Sequence, residues 1–266
     1  MEDTKMAITF ENLVIDRPLN AVFKDKNNNV LGGLNQIQNL SITTSSESKD
    51  KLDATGVLVK RFFTSKSVEI SAENAIFSLS LMGLQTGNGK QVASAGNTIE
   101  LPMIKKYRKA ATVTLPVTPK AGTLSVCGLT SDGLPDTSKQ YTQDTAAGAG
   151  KFAISGTTLS LPTDATDFVQ VVCKYDSETA TKVLQSADKF PKECELIISV
   201  LVSDACDKET VRQAYIDFPA FQMSPDFDLT MDTDSAHPFS GAAAVDYCSA
   251  DKSLFYIAIS EEDEEE

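Results

Sequence analysis

The chain has 266 residues, 41% hydrophobic and 23% charged, with a formal net charge of −13. That balance suits a folded protein with a sizeable core, and no apolar run approaches the ~20 residues of a membrane span. The acidic excess argues against general nucleic-acid binding through clustered Lys and Arg, and it persists without Glu261–Glu266, leaving 31 acidic against 24 basic side chains.

In chain order, Met6–Asp16 alternates loosely and predicts a strand or extended arm, with no apolar core and cleavage site of a signal peptide before it. Arg17-Pro18 breaks that strand, Ala21–Lys24 is a second short one, and Asp25–Asn29 is a turn. Asn39–Thr44 alternates as a strand. Ser45–Asp53 has no large apolar residue before Leu52 and reads as a polar loop. Asp53–Gly56 turns the chain into two strands, Val57–Phe63 and Ser67–Ser71. The first of these carries apolar groups on both faces, which fits burial on both sides or contact with a neighbouring subunit. Ala72–Leu84 reads as an amphipathic helix capped by Ser71, with Ala72, Ile76, Leu79 and Gly83 in one row. The alternation of Phe77, Leu79 and Leu81 offers a strand as the competing reading.

Thr98–Met103 is a strand broken by Pro102, Lys105–Lys109 is the one basic cluster, and Ala111–Leu115 is a further strand. Thr118–Ala165 is rich in Gly, Ser, Thr, Ala and Asp and reads as an inserted β hairpin or subdomain. Strands follow at Asp167–Tyr175, Cys194–Val202, Val211–Phe218 and Ser253–Ile259, with a shorter alternation at Asp226–Asp232. Cys194–Val202 is the most apolar run and the natural central strand. Eight to eleven strands with one helix predict a mainly β fold, an antiparallel β-sandwich or barrel with one flanking α-helix. The organisation is a β domain over 1–117 and 166–260, an insertion at 118–165 and an acidic tail at 261–266.

Catalytic chemistry finds little footing. The five cysteines, Cys127, Cys173, Cys194, Cys206 and Cys248, are widely spaced and suit reduced, buried thiols rather than a zinc or redox motif. The single histidine, His237, precedes Pro238 and reads as a turn residue. Gly83–Lys90 misses the phosphate-loop pattern, with Leu84 where Gly is needed and Gln91 where Ser or Thr is needed. Asp226, Asp228, Asp232 and Asp234 lack the Gly turn and terminal Glu of a calcium loop. No catalytic residue, cofactor or metal ligand is assigned, and a building or binding role is expected instead of an enzyme.

The order strand, charged loop, D-x-x-G turn, strand pair and helix over Asn39–Gly87 resembles the core of phage tail tube proteins (major tail proteins). Phe190-Pro-Lys192, CELIISVLV, the strand ending Ile216-Asp-Phe218-Pro219 and the closing SLFYIAI resemble the same family. The resemblance implies a structural virion protein in stacked, hexameric rings, a conduit for DNA ejection that does not bind DNA specifically. It implies homo-oligomeric stacking, other tail proteins as partners (tape measure, terminator, sheath, baseplate), no membrane insertion, and synthesis in the host bacterial cytoplasm. In that setting Ser46, Glu47, Lys49, Asp50 and Lys51 belong to an inter-subunit arm, disordered until rings stack, and Val57, Val59 and Phe62 to an inter-subunit strand. A head decoration, neck or connector protein, or a ligand-binding β-sandwich, is the alternative.

Overall fold

The computed structural model of the chain describes residues 13–204, 211–233, 235–245 and 251–259. The expectations for residues 6–12, for Cys206, Cys248 and Asp234, and for the acidic run 261–266 fall outside these. Among the described residues the protein is mainly β, with antiparallel sheets and one short helix, as the alternating segments predicted. Among these residues no helix is long and apolar enough to cross a membrane. The chain folds as two compact units, Met1–Lys90 with Val183–Glu266 and Gln91–Lys182; the segment 118–165 lies within the latter.

The chain opens with β1 (Leu13–Lys24), β2 (Val30–Leu34), β3 (Ile37–Leu52), β4 (Leu58–Asn74) and α1 (Leu79–Gln85). It continues with β5 (Lys90–Val92), β6 (Ile99–Arg108), β7 (Thr112–Thr114), β8 (Ser125–Leu129) and β9 (Pro135–Gln143). Next come β10 (Lys151–Ser155), β11 (Thr158–Ser160), β12 (Phe168–Ser177) and β13 (Thr181–Val183). It ends with β14 (Glu193–Asp204), β15 (Val211–Met223), β16 (His237–Ala243) and β17 (Tyr256–Ile259).

The first unit is built on one sheet ordered β2-β1-β14-β15-β16-β4-β3, with β17 also paired to β15. β14 lies inside it, as its apolar run predicted, and buries Leu196, Ile198, Val200 and Val202 on one face. That face packs with Phe23, Ile70, Phe218, Phe221, Phe239 and Leu81 of α1. The break expected at Arg17-Pro18 is absent. Bulges between Ile15 and Arg17 and between Pro18 and Asn20 keep β1 continuous, since a bulge spares proline the missing ladder donor. β15 likewise runs past Pro219 beside a register shift in its pairing with β14.

The helix is shorter than the sequence suggested. Ala72 and Asn74 belong to β4, opposite Phe239 and His237. Val68, Ile70 and Ala72 alternate into the core, so the period of two prevails over the helical row. Ser78, not Ser71, caps α1, its hydroxyl accepting from the Leu81 N–H at 3.2 Å. The alternation at Phe227, Leu229 and Met231 yields no strand.

The second unit has its own sheet, ordered β6-β12-β8-β9-β10-β11-β7 and antiparallel except for β9 with β10. Met103, Val126, Tyr141, Phe152, Leu159, Val169 and Val171 form its core. β5 and β13 make a separate two-stranded sheet. β6 passes through Pro102 because it is an edge strand of its sheet. The polar span Ser131–Gly150 hides β9, anchored by buried Tyr141, whose hydroxyl accepts from the Thr166 N–H at 3.3 Å. Cys127, Cys173 and Cys194 are free and buried. Loss of hydration raises all three thiol pKa values, that of Cys194 to about 11, so none is a ready thiolate at neutral pH.

Candidate assembly surface

β3 and β4 form one long hairpin, and its outer half stands apart from the core. Every residue from 43 to 67 is exposed, whereas Val68, Ile70, Ala72 and Asn74 at its foot are buried. The polar loop expected at Ser45–Asp53 is therefore strand. Ser46, Glu47, Lys49, Asp50 and Lys51 all lie in β3, paired with Lys66, Ser65, Phe62, Arg61 and Lys60 of β4. The strands expected at Val57–Phe63 and Ser67–Ser71 are one strand from Leu58 onward with a register shift near Thr64, and Val57 lies just before it, its carbonyl accepting from the Asp53 N–H in the turn. The disordered arm implied by the resemblance is thus an ordered ribbon in the single chain.

Local chemistry accounts for its order. The Asp53 carboxylate accepts from the Thr55 hydroxyl (2.7 Å), the Thr55 N–H (2.8 Å) and the Val57 N–H (2.9 Å). These bonds, the Thr55 hydroxyl foremost, hold its pKa below the usual carboxylate value. Gly56 takes φ 85°, which closes the loop without a Cβ penalty. Arg61 clamps Asp50 across the strands at 2.7 and 2.9 Å, the two-point geometry that favours arginine. Ser45 and Ser67 share a 2.7 Å hydroxyl bond.

Opposite residues of an antiparallel pair share a face. Lys49, Lys51, Lys60 and Phe62 therefore fall on one face of the ribbon, and Ser48, Asp50, Arg61 and Phe63 on the other. The Lys60 ammonium sits 4.9 Å from the Phe62 ring centre. Val57, Val59 and Phe62 are 61%, 62% and 46% exposed, and Leu52, Leu58 and Phe63 accompany them. The sequence reading missed those last three; Phe63 was legible as the neighbour of Phe62 on the opposite face. β16 pairs with β4 only over Val68–Asn74 and β3 is the last strand of its sheet, so both edges of the ribbon are unpaired among the described strands. Open edges with exposed apolar groups are a template for association.

At the foot of the hairpin, His237 is not a turn residue but the first of β16, and it is 1% exposed. Its Nδ1 accepts from the Ser78 N–H at 3.2 Å, which places the ring proton on Nε2, donating to Gln85 Oε1 at 2.9 Å. Gln85 donates onward to the Pro238 carbonyl at 2.8 Å, and Phe77 stacks on the ring at 5.0 Å. The histidine thus ties both ends of α1 to the sheet. Burial lowers its pKa from 6.5. The unfolded chain takes up this proton near pH 6.5 and the folded ring only below that, so stability is full above 6.5 and falls as pH drops through the folded value. His237→Ala is expected to lose about 2–4 kcal/mol at pH 7 and to remove this part of the pH dependence. Urea midpoints measured from pH 7 to pH 5 check both.

Asp226 and Asp228 are exposed on an irregular segment, and Asp232 accepts from the Thr233 N–H and hydroxyl at 2.7 and 3.1 Å. Among the described residues no three His, Cys, Asp or Glu side chains converge as a metal site. The basic cluster lies on β6 and just beyond it, with Lys106 4.7 Å from the Phe168 ring centre.

Extended antiparallel sheets, a projecting ribbon and a lone histidine engaged in packing describe a structural β protein. Comparison with known families gives the same class: the model of the YomU/Tube protein family matches residues 14–256, and the chain belongs to that family. This agrees with the resemblance to phage tail tube proteins read from Asn39–Gly87 and the C-terminal strands. No curated protein matches the chain significantly.

Proposed function

We propose that this protein is a structural subunit that assembles into stacked, hexameric rings of the kind that make a phage tail tube, the conduit for DNA ejection.

 Family membership favours this reading, and one observation carries it: residues 43–67 form an ordered, wholly exposed ribbon with six large exposed apolar side chains and, among the described strands, no partner beyond the hairpin itself. Such a surface is costly for a free subunit and useful to an assembled one. In this reading Ser46, Glu47, Lys49, Asp50 and Lys51 belong to the inter-subunit arm, with Val57, Val59 and Phe62 on its contact strand. The segment 118–165 is an elaboration inserted into the tube fold. The acidic balance suits a duct that must not retain DNA phosphates, and the role is non-catalytic. Other tail proteins, the tape measure, terminator and baseplate among them, are the partners, and the virion tail is the location.

Negative-stain microscopy with sedimentation tests this. Purified protein is expected to form rings or tubes as its concentration rises. A chain that stays monomeric across the range, including at the highest concentration reached, would overturn the reading.

A further inference from the structure

The ribbon's binding site has a candidate on the same unit, at the opposite end of β4. Just past that strand, Ala75–Phe77, Leu229–Thr233 and His237 line a cavity of about 660 Å³. Its apolar members are open to solvent, with Ile76 60%, Phe77 41% and Met231 77% exposed. Two further hollows continue along the outward face of β4. One is lined by Glu73, Asp226 and Asp228, and the next by Glu69. Among the described residues no Lys or Arg lines any of the three. Ser71 and Ser240 line both of the further hollows, and His237 and Leu229 of the first cavity directly adjoin Pro238 and Asp228 in sequence, so the three form a trench with exposed apolar groups beside Asp232 at one end and Glu69, Glu73, Asp226 and Asp228 along the rest.

The ribbon offers the opposite pattern. Lys49, Lys51 and Lys60 share a face with Phe62, and among the described residues no ion pair engages these lysines. The tip adds Leu52, Val57 and Leu58. From Leu58 to Asn74 the strand covers about 16 steps of roughly 3.3 Å, on the order of 50 Å. The tip of a straight ribbon therefore cannot reach the trench at its own foot.

We propose that the β3–β4 ribbon of one copy docks in the trench beside β4 of a second copy, its lysine face against Glu69, Glu73, Asp226 and Asp228 and its apolar tip at Ile76, Phe77 and Met231. The inference rests on the assembly reading above and supplies its acceptor. Donor and acceptor are different patches, so the contact is head-to-tail. Each copy fills one trench and offers one ribbon, and the contact repeats from copy to copy instead of closing a symmetric pair.

Charge exchange tests it on the full chain. Lys49→Glu, Lys51→Glu and Lys60→Glu together are expected to lower the assembled fraction about tenfold or more. Asp226→Lys with Asp228→Lys should do the same. Mixing the two variants should restore contact between them, because the reversed ribbon then meets the reversed trench. All five positions are exposed, so unchanged melting curves report an intact fold. A second measurement does not depend on charge: Leu58→Cys, at the ribbon tip, mixed with Met231→Cys should give a disulfide-linked dimer, located by peptide mass spectrometry. Failure of the wild-type chain to assemble overturns the assembly reading and this inference together. Assembly that is lost in the lysine variant but kept in Asp226→Lys/Asp228→Lys overturns the trench alone, as does a crosslink that never forms in assembled material.

Discussion

Replacing Glu47–Ser65 with an Asn-Gly turn is expected to give a subunit that folds normally and no longer assembles. The cut follows the register. Ser46 faces Lys66, so a two-residue turn between them closes a shorter hairpin of a favoured type. None of the removed residues is buried, and the core half of β4, from Val68 to Asn74, keeps β3 and β16 on its two sides. Stability should therefore change by less than about 1 kcal/mol, while rings or tubes disappear. Deleting Ser46–Leu52 alone is a poorer experiment, because it strips β4 of its partner and leaves Leu58, Val59, Phe62 and Phe63 on an unpaired strand, an aggregation hazard. Thermal melts and negative-stain images of the shortened chain give the two readouts. Tubes of normal length from it would remove the ribbon from the assembly mechanism.

The second large effect lies in the core. Phe23→Ala is expected to cost about 3–5 kcal/mol, a large share of the roughly 5–15 kcal/mol that holds a typical domain together. Phe23 is fully buried, its ring centre 6.4 Å from that of Phe221 and 6.1 Å from that of Phe239 in an edge-on contact. It joins β1 to β15 and β16 across the sheet face. Truncation loses both ring contacts and leaves a void that rigid neighbouring strands cannot close. The measurement belongs in the shortened-hairpin background, where assembly does not add concentration-dependent stability. A urea midpoint that falls at unchanged slope gives the loss directly. A shift below about 1 kcal/mol would mean that the core repacks around the gap.

The strands that were legible in the sequence are those whose side chains report burial. Cys194–Val202 and Asp167–Tyr175 alternate or run apolar because tertiary packing selects each residue, and β14 and β12 follow them closely. The turn at Asp53–Gly56 was legible because its hydrogen bonds are local. The ribbon was not. A strand with solvent on both faces has no burial to record, and Ser45–Lys51 looks like a loop because only its cross-strand partners make it a strand. His237 shows the same limit from the other side. The adjacent Pro238 suggests a turn, but its partner Gln85 is 152 residues away in sequence. The start of α1 was misplaced because Ala72 satisfies both a helical row and the strand alternation, and pairing with Phe239 decides between them. In the candidate surface, Val57, Val59 and Phe62 could be named from two-faced apolarity. The trench could not, since Ile76 and Met231 meet only in the fold.

The Asp50–Arg61 clamp and the Asp53 turn have a kinetic consequence. They fix the ribbon before any encounter between subunits, so its conformational entropy is lost during folding and not during docking. Growth then proceeds as rigid-body capture, with bimolecular rates of the ordinary order of 10⁵–10⁷ M⁻¹s⁻¹ and no folding step to wait for. Loosening the ribbon at Arg61 would slow the addition of each subunit even where the finished contact is unchanged.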